Sequence, residues 1–314
     1  MIVVFDTNAY RDLSARKTSE EANDLMQAIL VKESEKGYRA FMCTTVALEL
    51  MYHLQDNTLW NSYRACIKAA PLMYKHCGDA ISFRLLPLPE VQAAKMFYNV
   101  EATSSITTQK AVGQILFDLT QDNAGAVALK YSTELTKARQ FITIGEQTLA
   151  KEIDKLLSYY DPNYKHDWNP FVNDESNRRK YLNMVDSDDF YLDTAKGFIM
   201  AVGMMLQAKG MITKVPDYNE LDNDANFYIK NYGASLLFRR RFFKYLAGGG
   251  FDLTKDSRAN YLWDEQILHF AGHTINGEKI MIVTTDAKMK AAVLDYDAKT
   301  QVKTLKEYLT MLGM

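Results

Sequence analysis

Two short apolar runs in this chain each end at an acidic residue. Residues 1–5 are uniformly apolar and precede Asp6, and the apolar, β-branched run at residues 280–285 precedes Asp286. Runs of this length without polar alternation predict buried strands of a parallel sheet. Because the functional crevice of an open α/β sheet lies beyond the carboxyl ends of its strands, Asp6 and Asp286 would share that crevice if the two strands are neighbours.

The first hundred residues alternate between strand and helix patterns. After the first strand, residues 19–36 carry apolar positions at helical spacing, and residues 39–44 predict a second strand. A helix is expected from Thr45, a third strand over residues 80–86 and another helix over residues 90–98. This alternation predicts a parallel sheet with right-handed crossovers.

A long helical pattern occupies the middle of the chain. Residues 101–255 contain few prolines, with a polar, aromatic break at residues 159–177 and three glycines at residues 248–250. We therefore expect a discontinuous α/β domain, formed by residues 1–100 and 256–314 and interrupted by a mainly α-helical insertion.

Two further acids are expected near helix starts. Glu49 falls in the early turns of the helix after the second strand, where its side chain can lean over the edge that presents Asp6. A solvated helix glutamate is the ordinary alternative. Asp264 lies at the start of a helix over residues 261–271, where the helix dipole favours a negative charge. For Asp264, a purely structural capping role is the alternative.

These four carboxylates would repel one another at a common sheet edge. A hard divalent cation relieves such repulsion, and Mg²⁺ prefers oxygen ligands while it keeps several of its waters. The set therefore predicts a site for Mg²⁺ or Mn²⁺ that is formed by Asp6, Glu49, Asp264 and Asp286.

The composition gives no sign of a membrane or of a secreted fold. A formal net charge of -2 provides no global attraction to nucleic acid or to anionic lipid, so any such contact must be local. Three cysteines without a Cys-x-x-Cys pair argue against a disulfide framework and a zinc ribbon. The apolar stretch at residues 198–206 is too short to span a membrane. We expect a cytoplasmic protein without an export signal.

One basic, aromatic run is the best local candidate for nucleic-acid binding. Residues 238–245 combine phenylalanine and tyrosine rings with cationic side chains, which are Arg239, Arg240, Arg241 and Lys244. An amphipathic packing helix with a solvated basic edge is the alternative. Residues 178–180 form a weaker second basic patch.

The histidines and a second acidic run have ordinary explanations. His269 and His273 are four residues apart but lack the glutamate of a zinc-protease helix, so we expect histidines on a helix surface. The acids at residues 186–189 are expected at a helix N-terminus.

The acidic motifs resemble those of the PIN domain, a family of metal-dependent nucleases. The resemblance lies in residues 4–8, 45–50, 264–268 and 282–286, with a further likeness at residues 85–91. It covers about half of the chain and implies a three-layer α/β/α domain with a central parallel sheet. Most small members of the family have only a short connection where this chain has its insertion of roughly 155 residues. Many members also carry another acid where this chain has Lys288 and Met289.

The resemblance implies hydrolysis of phosphodiester bonds by water that Mg²⁺ or Mn²⁺ activates, with 5′-phosphate and 3′-hydroxyl products. Asp6, Asp264 and Asp286 would then be metal ligands, and Glu49 would be a ligand or would orient a water. Asn8 and Thr284 would hold a water or a phosphate oxygen, and hydrogen bonds that stabilise turns are their alternative role.

The sequence therefore favours a nuclease, with RNA preferred to DNA as the substrate. A non-catalytic PIN-like module that binds nucleic acid or protein is the main alternative. A phosphatase of the haloacid-dehalogenase type is disfavoured, because Asn8 stands where that chemistry needs a second aspartate. A toxin with an antitoxin, an RNA-processing enzyme and a defence nuclease would all carry this pocket. The sequence is also compatible with a homo-oligomer and with an inhibitory protein partner.

Overall fold

The computed structural model describes residues 1–54, 60–78, 84–101, 103–255, 260–293 and 301–314. Contacts divide the chain into two compact units. We call the first the sheet unit, which comprises Met1–Val91, Ala102–Ile142 and Phe270–Met314. The second is the helical unit, which comprises Gln92–Glu101 and Thr143–His269.

Helices and strands alternate in the N-terminal part of the chain, and helices dominate its middle. The elements up to the start of the middle part are β1 (Ile2–Phe5), α1 (Thr7–Ser14), α2 (Ser19–Glu35), β2 (Arg39–Ala40), β3 (Met42–Cys43), α3 (Thr44–Tyr52), α4 (Trp60–Cys77), β4 (Leu85–Leu86) and α5 (Pro89–Tyr98). The middle contains α6 (Thr103–Gln121), α7 (Ala124–Lys130), α8 (Ser132–Tyr160), α9 (Glu175–Asp186), α10 (Asp189–Ala208), a 3₁₀ turn (Tyr218–Leu221), α11 (Asp222–Leu246) and α12 (Tyr261–Leu268). The last elements are β5 (Thr274–Ile275), β6 (Glu278–Thr284), α13 (Ala287–Ala292), β7 (Val302–Thr304) and α14 (Leu305–Leu312).

The two acid-terminated runs form buried strands, as their patterns predicted, and these strands are parallel neighbours. Strand β1 pairs with β6 in a register that places Phe5 opposite Val283. On its other side β1 pairs in parallel with β2, and β6 pairs in parallel with β7 and in antiparallel with β5. A parallel pair of β3 and β4 completes the strands of the described residues. The fold is therefore mixed α/β and rich in helix, with a small, mostly parallel sheet.

The second predicted strand divides in two at Phe41, because the chain changes its pairing partner there. The amide of Phe41 donates to Val3 O at 2.8 Å, whereas the amide of Met42 donates to Arg84 O at 2.6 Å. The helix that follows begins at Thr44, one residue before the expected start. The third strand was expected over residues 80–86, of which residues 80–83 lie outside the described part.

The core of the sheet unit includes a buried chain of hydrogen bonds between four helices. The Tyr308 hydroxyl donates to Glu33 Oε1 at 2.5 Å, and the Glu33 carboxylate pairs with His76 Nε2 at 2.9 Å. On the other side of the imidazole, His76 Nδ1 and the Tyr10 hydroxyl are 2.9 Å apart. Burial alone would lower the pKa of His76, but the charge of Glu33 and hydrogen bonds to Glu33 and Cys77 raise it to about 9. The pair is therefore a buried ion pair at neutral pH.

The helical unit is built around α10 and α11. Its core includes Ile199 from α10 and the stacked rings of Tyr228 and Tyr232 from α11. Helix α9 lies beside α11, where the Tyr181 hydroxyl donates to Phe243 O at 3.0 Å. No helix in the ranges that the structure describes is long and apolar enough to cross a membrane.

The division into units differs from the boundaries expected at residues 101 and 255. Helix α6 packs in the sheet unit, where the Phe117 ring lies 5.5 Å from the Tyr74 ring of α4. The helical unit in turn includes α12 and hence Asp264.

Candidate active site

The carboxylate of Asp6 is buried at the carboxyl end of β1. Asp6 caps α1, because its Oδ1 accepts from the amide of Ala9 at 2.6 Å. Its Oδ2 accepts from the hydroxyl of Thr284 at 2.5 Å. Since Phe5 pairs with Val283, the parallel register places the next residue of each strand, Asp6 and Thr284, side by side. The side chain of Asp6 is only 2% exposed.

Thr284 also connects Asp6 to Asp286. The Thr284 hydroxyl accepts from the amide of Asp286 at 2.8 Å, and the Asp286 carboxylate caps α13 by accepting from the amide of Lys288 at 2.6 Å. Asp286 is half-buried. The two acids that end the neighbouring strands therefore lie at one edge of the sheet.

Burial raises the pKa of the Asp6 carboxyl to about 7, and the negative charges of Asp286 and Asp12 act in the same direction. The hydrogen bonds from Thr284 and Ala9 oppose this increase. A nearby cation would favour the ionised form of a carboxyl group in this state.

Glu49 is held at the same end of α1 by a residue that the sequence analysis did not single out. The hydroxyl of Thr7, the first residue of α1, donates to Glu49 Oε2 at 2.5 Å. Thr7 is buried and Glu49 is half-buried. The sequence feature that could have indicated Thr7 is a hydroxyl residue directly after Asp6 at a helix start. Asn8, which was expected to hold a water or a phosphate oxygen, is the next residue of α1 and is exposed.

Asp264 belongs to the helical unit, whereas Asp6, Glu49 and Asp286 belong to the sheet unit. It is half-buried in the first turn of α12, and its amide donates to Asn260 O at 3.0 Å. Asn260 occupies the N-cap position, so Asp264 is not the cap that the alternative explanation required.

The residues at the sheet edge fit a hard cation in chemical type. Among the described residues, no group of three His, Cys, Asp or Glu side chains is close enough to hold a metal ion. Mg²⁺ does not need such a cage, because it commonly binds through one or two carboxylates and keeps waters or substrate phosphates as its other ligands. Asp6 and Asp286 supply two carboxylates, and their mutual repulsion is the feature that a cation would remove.

Arg239 from the basic run makes an internal ion pair in the helical unit. Its Nε donates to Glu265 Oε1 of α12 at 2.8 Å, and both side chains are largely buried. Burial alone would lower the pKa of Arg239, but the charge of Glu265 and their hydrogen bond raise it. This contact agrees with the alternative explanation for residues 238–245, in which they form an amphipathic packing helix.

The other three cations of the run lie along α11. Arg240 and Lys244 both pair with Asp186 at the end of α9. Arg241 Nε donates to the Tyr245 hydroxyl at 3.1 Å. Each of these contacts lies within the helical unit.

The expectation that His269 lies on a helix surface is wrong. Its side chain is 3% exposed, and its ring stacks on Tyr232 with the centroids 4.3 Å apart. Its Nδ1 lies 3.2 Å from the Tyr228 hydroxyl. The flat imidazole is accommodated because the core of the helical unit is rich in aromatic rings.

The chain matches no protein-family model, and no significant match was found among curated proteins or solved structures.

Proposed function

We propose that the chain is a metal-dependent nuclease of the PIN-like type, with RNA as its preferred substrate. The observation that carries the proposal is the buried carboxylate of Asp6, which Thr284 joins to Asp286 at the carboxyl edge of β1 and β6. The order of the acidic motifs supports the PIN resemblance. A three-layer α/β/α domain with a helical insertion is part of the same proposal.

In this proposal Asp6 and Asp286 hold Mg²⁺ or Mn²⁺, and the resemblance alone assigns metal-pocket roles to Glu49 and Asp264. When bound, the cation supplies positive charge to the phosphoryl oxygens and lowers the pKa of water. Asp6 releases its proton on binding, because the pKa of its carboxyl is about 7 before a cation is present.

The hydroxyls of two threonines fix the directions of the acids. Thr284 orients Oδ2 of Asp6, and Thr7 orients the Glu49 carboxylate, so neither acid needs to reorganise when a phosphodiester arrives. Thr284 and Thr7 are therefore positioning residues, and the four acids are the proposed catalytic residues.

A non-catalytic module with the same acids is the second candidate. The internal hydrogen bonds favour it in part, because Asp6 caps α1 and Asp286 caps α13. The need for these two helix caps would explain the presence of both acids without a catalytic role. RNA, DNA, an inhibitory protein and a second copy of the chain are all partners compatible with either role.

Cleavage assays with labelled single-stranded RNA, structured RNA and single-stranded DNA test the nuclease proposal. Each substrate is incubated with Mg²⁺, Mn²⁺ or EDTA, beside the variants Asp6→Asn and Asp12→Asn. Asn at position 6 keeps an acceptor for the Ala9 amide but removes the charge, and Asp12 is an exposed residue of the same helix.

We expect metal-dependent cleavage that is lost in Asp6→Asn and retained in Asp12→Asn. Cleavage in EDTA, or full activity of Asp6→Asn, would contradict the proposal. A folded wild-type protein that cleaves nothing would favour the binding module.

A further inference from the structure

The two basic runs of the sequence lie on adjacent helices of the helical unit. Besides the contact of Tyr181 with Phe243, Arg178 Nε donates to Ala247 O at 3.2 Å. Asp186 at the end of α9 pairs with Arg240 and Lys244 of α11. These contacts run along both helices, so the side chains that flank the line of contact between α9 and α11 belong to one surface. Lys180 is two positions after Arg178 and therefore lies on the side of α9 away from α11.

We call this surface the basic face, and its cations are Arg178, Arg179, Arg240, Arg241 and Lys244. Glu175 and Asp186 are the carboxylates on α9, and residues 239–246 of α11 contain none. Arg239 does not contribute, because Glu265 neutralises it. A chain with a formal net charge of -2 thus concentrates positive charge on two neighbouring helices. Such a local excess attracts polyanions, although the whole molecule does not.

Two of these cations are available to a ligand. Arg179 is exposed, and no hydrogen-bond or ion-pair partner is found for it among the described residues. Arg241 contacts the neutral Tyr245 hydroxyl. A phosphate would therefore bind these two side chains without first displacing a carboxylate.

An exposed ring accompanies the cations. The Arg241 guanidinium lies 5.8 Å from the centroid of the Tyr245 ring, and Tyr245 is 42% exposed. A ring and a guanidinium beside phosphate-binding cations suit the stacking of unpaired bases, which is the usual way in which single strands are held. A duplex buries the faces of its bases and could not use this ring.

A cleft of about 520 Å³ adjoins the basic face at Arg178. It lies between residues 169–175 and the backbone of Ala247–Gly249. Gly249 has φ +73°, and a Cβ there would lie 3.3 Å from Asn169 Oδ1, so a side chain would crowd the cleft. Asp174 and Glu175 line the cleft, and Glu175 pairs with Arg178, so the cleft bounds the basic face and does not itself favour a phosphate.

We propose that the basic face binds single-stranded nucleic acid. Phosphates contact Arg179 and Arg241, and a base stacks on Tyr245. The choice of nucleic acid as the ligand rests on the proposed function, but binding here requires neither a metal nor cleavage. The surface lies wholly within the helical unit, so it is distinct from the acids of the sheet unit.

Fluorescence anisotropy of the full chain with a labelled single strand of about 15 nucleotides tests this proposal. EDTA is present throughout, and the salt concentration is varied. The variants are Arg179→Glu, Arg241→Glu and Tyr245→Ala. The control is Lys209→Glu, which reverses an exposed lysine at the opposite end of α10 from Phe190, whose ring packs on Phe243. Circular dichroism checks that each variant is folded.

We expect each reversal on the basic face to weaken binding about tenfold and to lower the salt slope by about 1. Tyr245→Ala should weaken binding of single strands and leave the salt slope unchanged, and Lys209→Glu should bind like the wild type. Equal binding by wild type and both reversals would overturn the proposal. Competition by polyglutamate as strong as that by RNA would also overturn it, because the face would then bind an acidic protein.

The same assay separates this inference from the nuclease proposal. Binding without cleavage in any metal would leave the basic face in place and remove the nuclease proposal. If the wild type cleaves the strand and the charge-reversal variants still bind it as tightly as wild type, the nuclease proposal stands and the basic face is removed.

Discussion

The hydroxyl of Thr284 donates to Oδ2 of Asp6 at 2.5 Å, and this contact joins two residues that are 278 positions apart in the chain. It forms because β1 and β6 are parallel neighbours in a fixed register. The same hydroxyl accepts from the amide of Asp286, so one side chain links both strand-end acids. The sheet therefore fixes the geometry of the proposed site.

Thr284→Val should destabilise the folded protein. Valine keeps the shape of threonine but leaves a buried carboxylate oxygen and the amide of Asp286 without this partner. We expect a loss of about 1–3 kcal/mol in the free energy of unfolding, measured by urea denaturation. Thr285→Val is the matched control, because Thr285 is only half-buried. Equal stability of both variants would show that the hydrogen bond contributes nothing.

Asp6→Asn should change how stability depends on pH. The pKa of the Asp6 carboxyl is about 7 in the folded protein and 3.8 in the reference state, so the folded state binds this proton more tightly. The resulting stabilisation is complete below about pH 4 and is lost as the pH rises through about 7. Relative to wild type, Asp6→Asn should therefore gain stability between these values, on the order of a few kcal/mol.

Thermal unfolding of both proteins in EDTA across this pH range measures the effect. Titration of the other groups cancels in the difference between the two proteins. A difference in Tm that is constant with pH would mean that Asp6 is not the titrating group.

Divalent cations should stabilise the wild-type protein at neutral pH. A cation that binds only the folded state contributes about 2.7 kcal/mol at a hundred times its Kd. We expect Mn²⁺ to raise the Tm of wild type and of Asp12→Asn, to leave Asp6→Asn almost unchanged, and to act reversibly when EDTA is added. An equal rise in all three proteins would place the ion elsewhere.

Glu33→Gln should be strongly destabilising, because it leaves the buried His76 without its counter-ion. Removal of one partner from a buried ion pair costs about 3–5 kcal/mol. The pKa of His76 is raised to about 9, so the contribution of the pair is complete below about pH 6.5 and is lost as the pH rises through about 9. Urea denaturation at about pH 6 and about pH 10 should therefore show a smaller effect of the substitution at the higher pH.

Glu35→Gln is the control for this prediction. Glu35 lies on the same helix, but it makes an exposed pair with Lys32. Such pairs contribute roughly 0–1 kcal/mol. If Glu35→Gln loses as much stability as Glu33→Gln, burial of the Glu33–His76 pair does not account for the effect.

The sequence predicted the parts of the fold that local patterns determine. The apolar run at residues 1–5 and the apolar, β-branched run at residues 280–285 indicated two buried strands, and their acids could be placed at a common edge because parallel strands share one. The long helical pattern likewise indicated the helix-rich middle of the chain.

Contacts between residues that are far apart in the sequence could not be predicted from local patterns. The change of pairing partner at Phe41 depends on where β4 lies, and the burial of His269 depends on rings from α11. The role of Thr7 requires that α3 places Glu49 beside the start of α1. Arg239 looked like a free cation because Glu265 is 26 positions away.

The pairing of β1 with β6 also determines when the proposed site can exist during protein synthesis. A ribosome-bound nascent chain that has not reached residue 284 contains Asp6 but lacks both Thr284 and the strand that orders it. The acid then follows a strand that can pair only with β2, and it lacks the hydroxyl that donates to its Oδ2. Any activity that depends on this carboxylate therefore arises only after translation has passed β6, which would keep the growing chain inactive toward nucleic acids beside the ribosome.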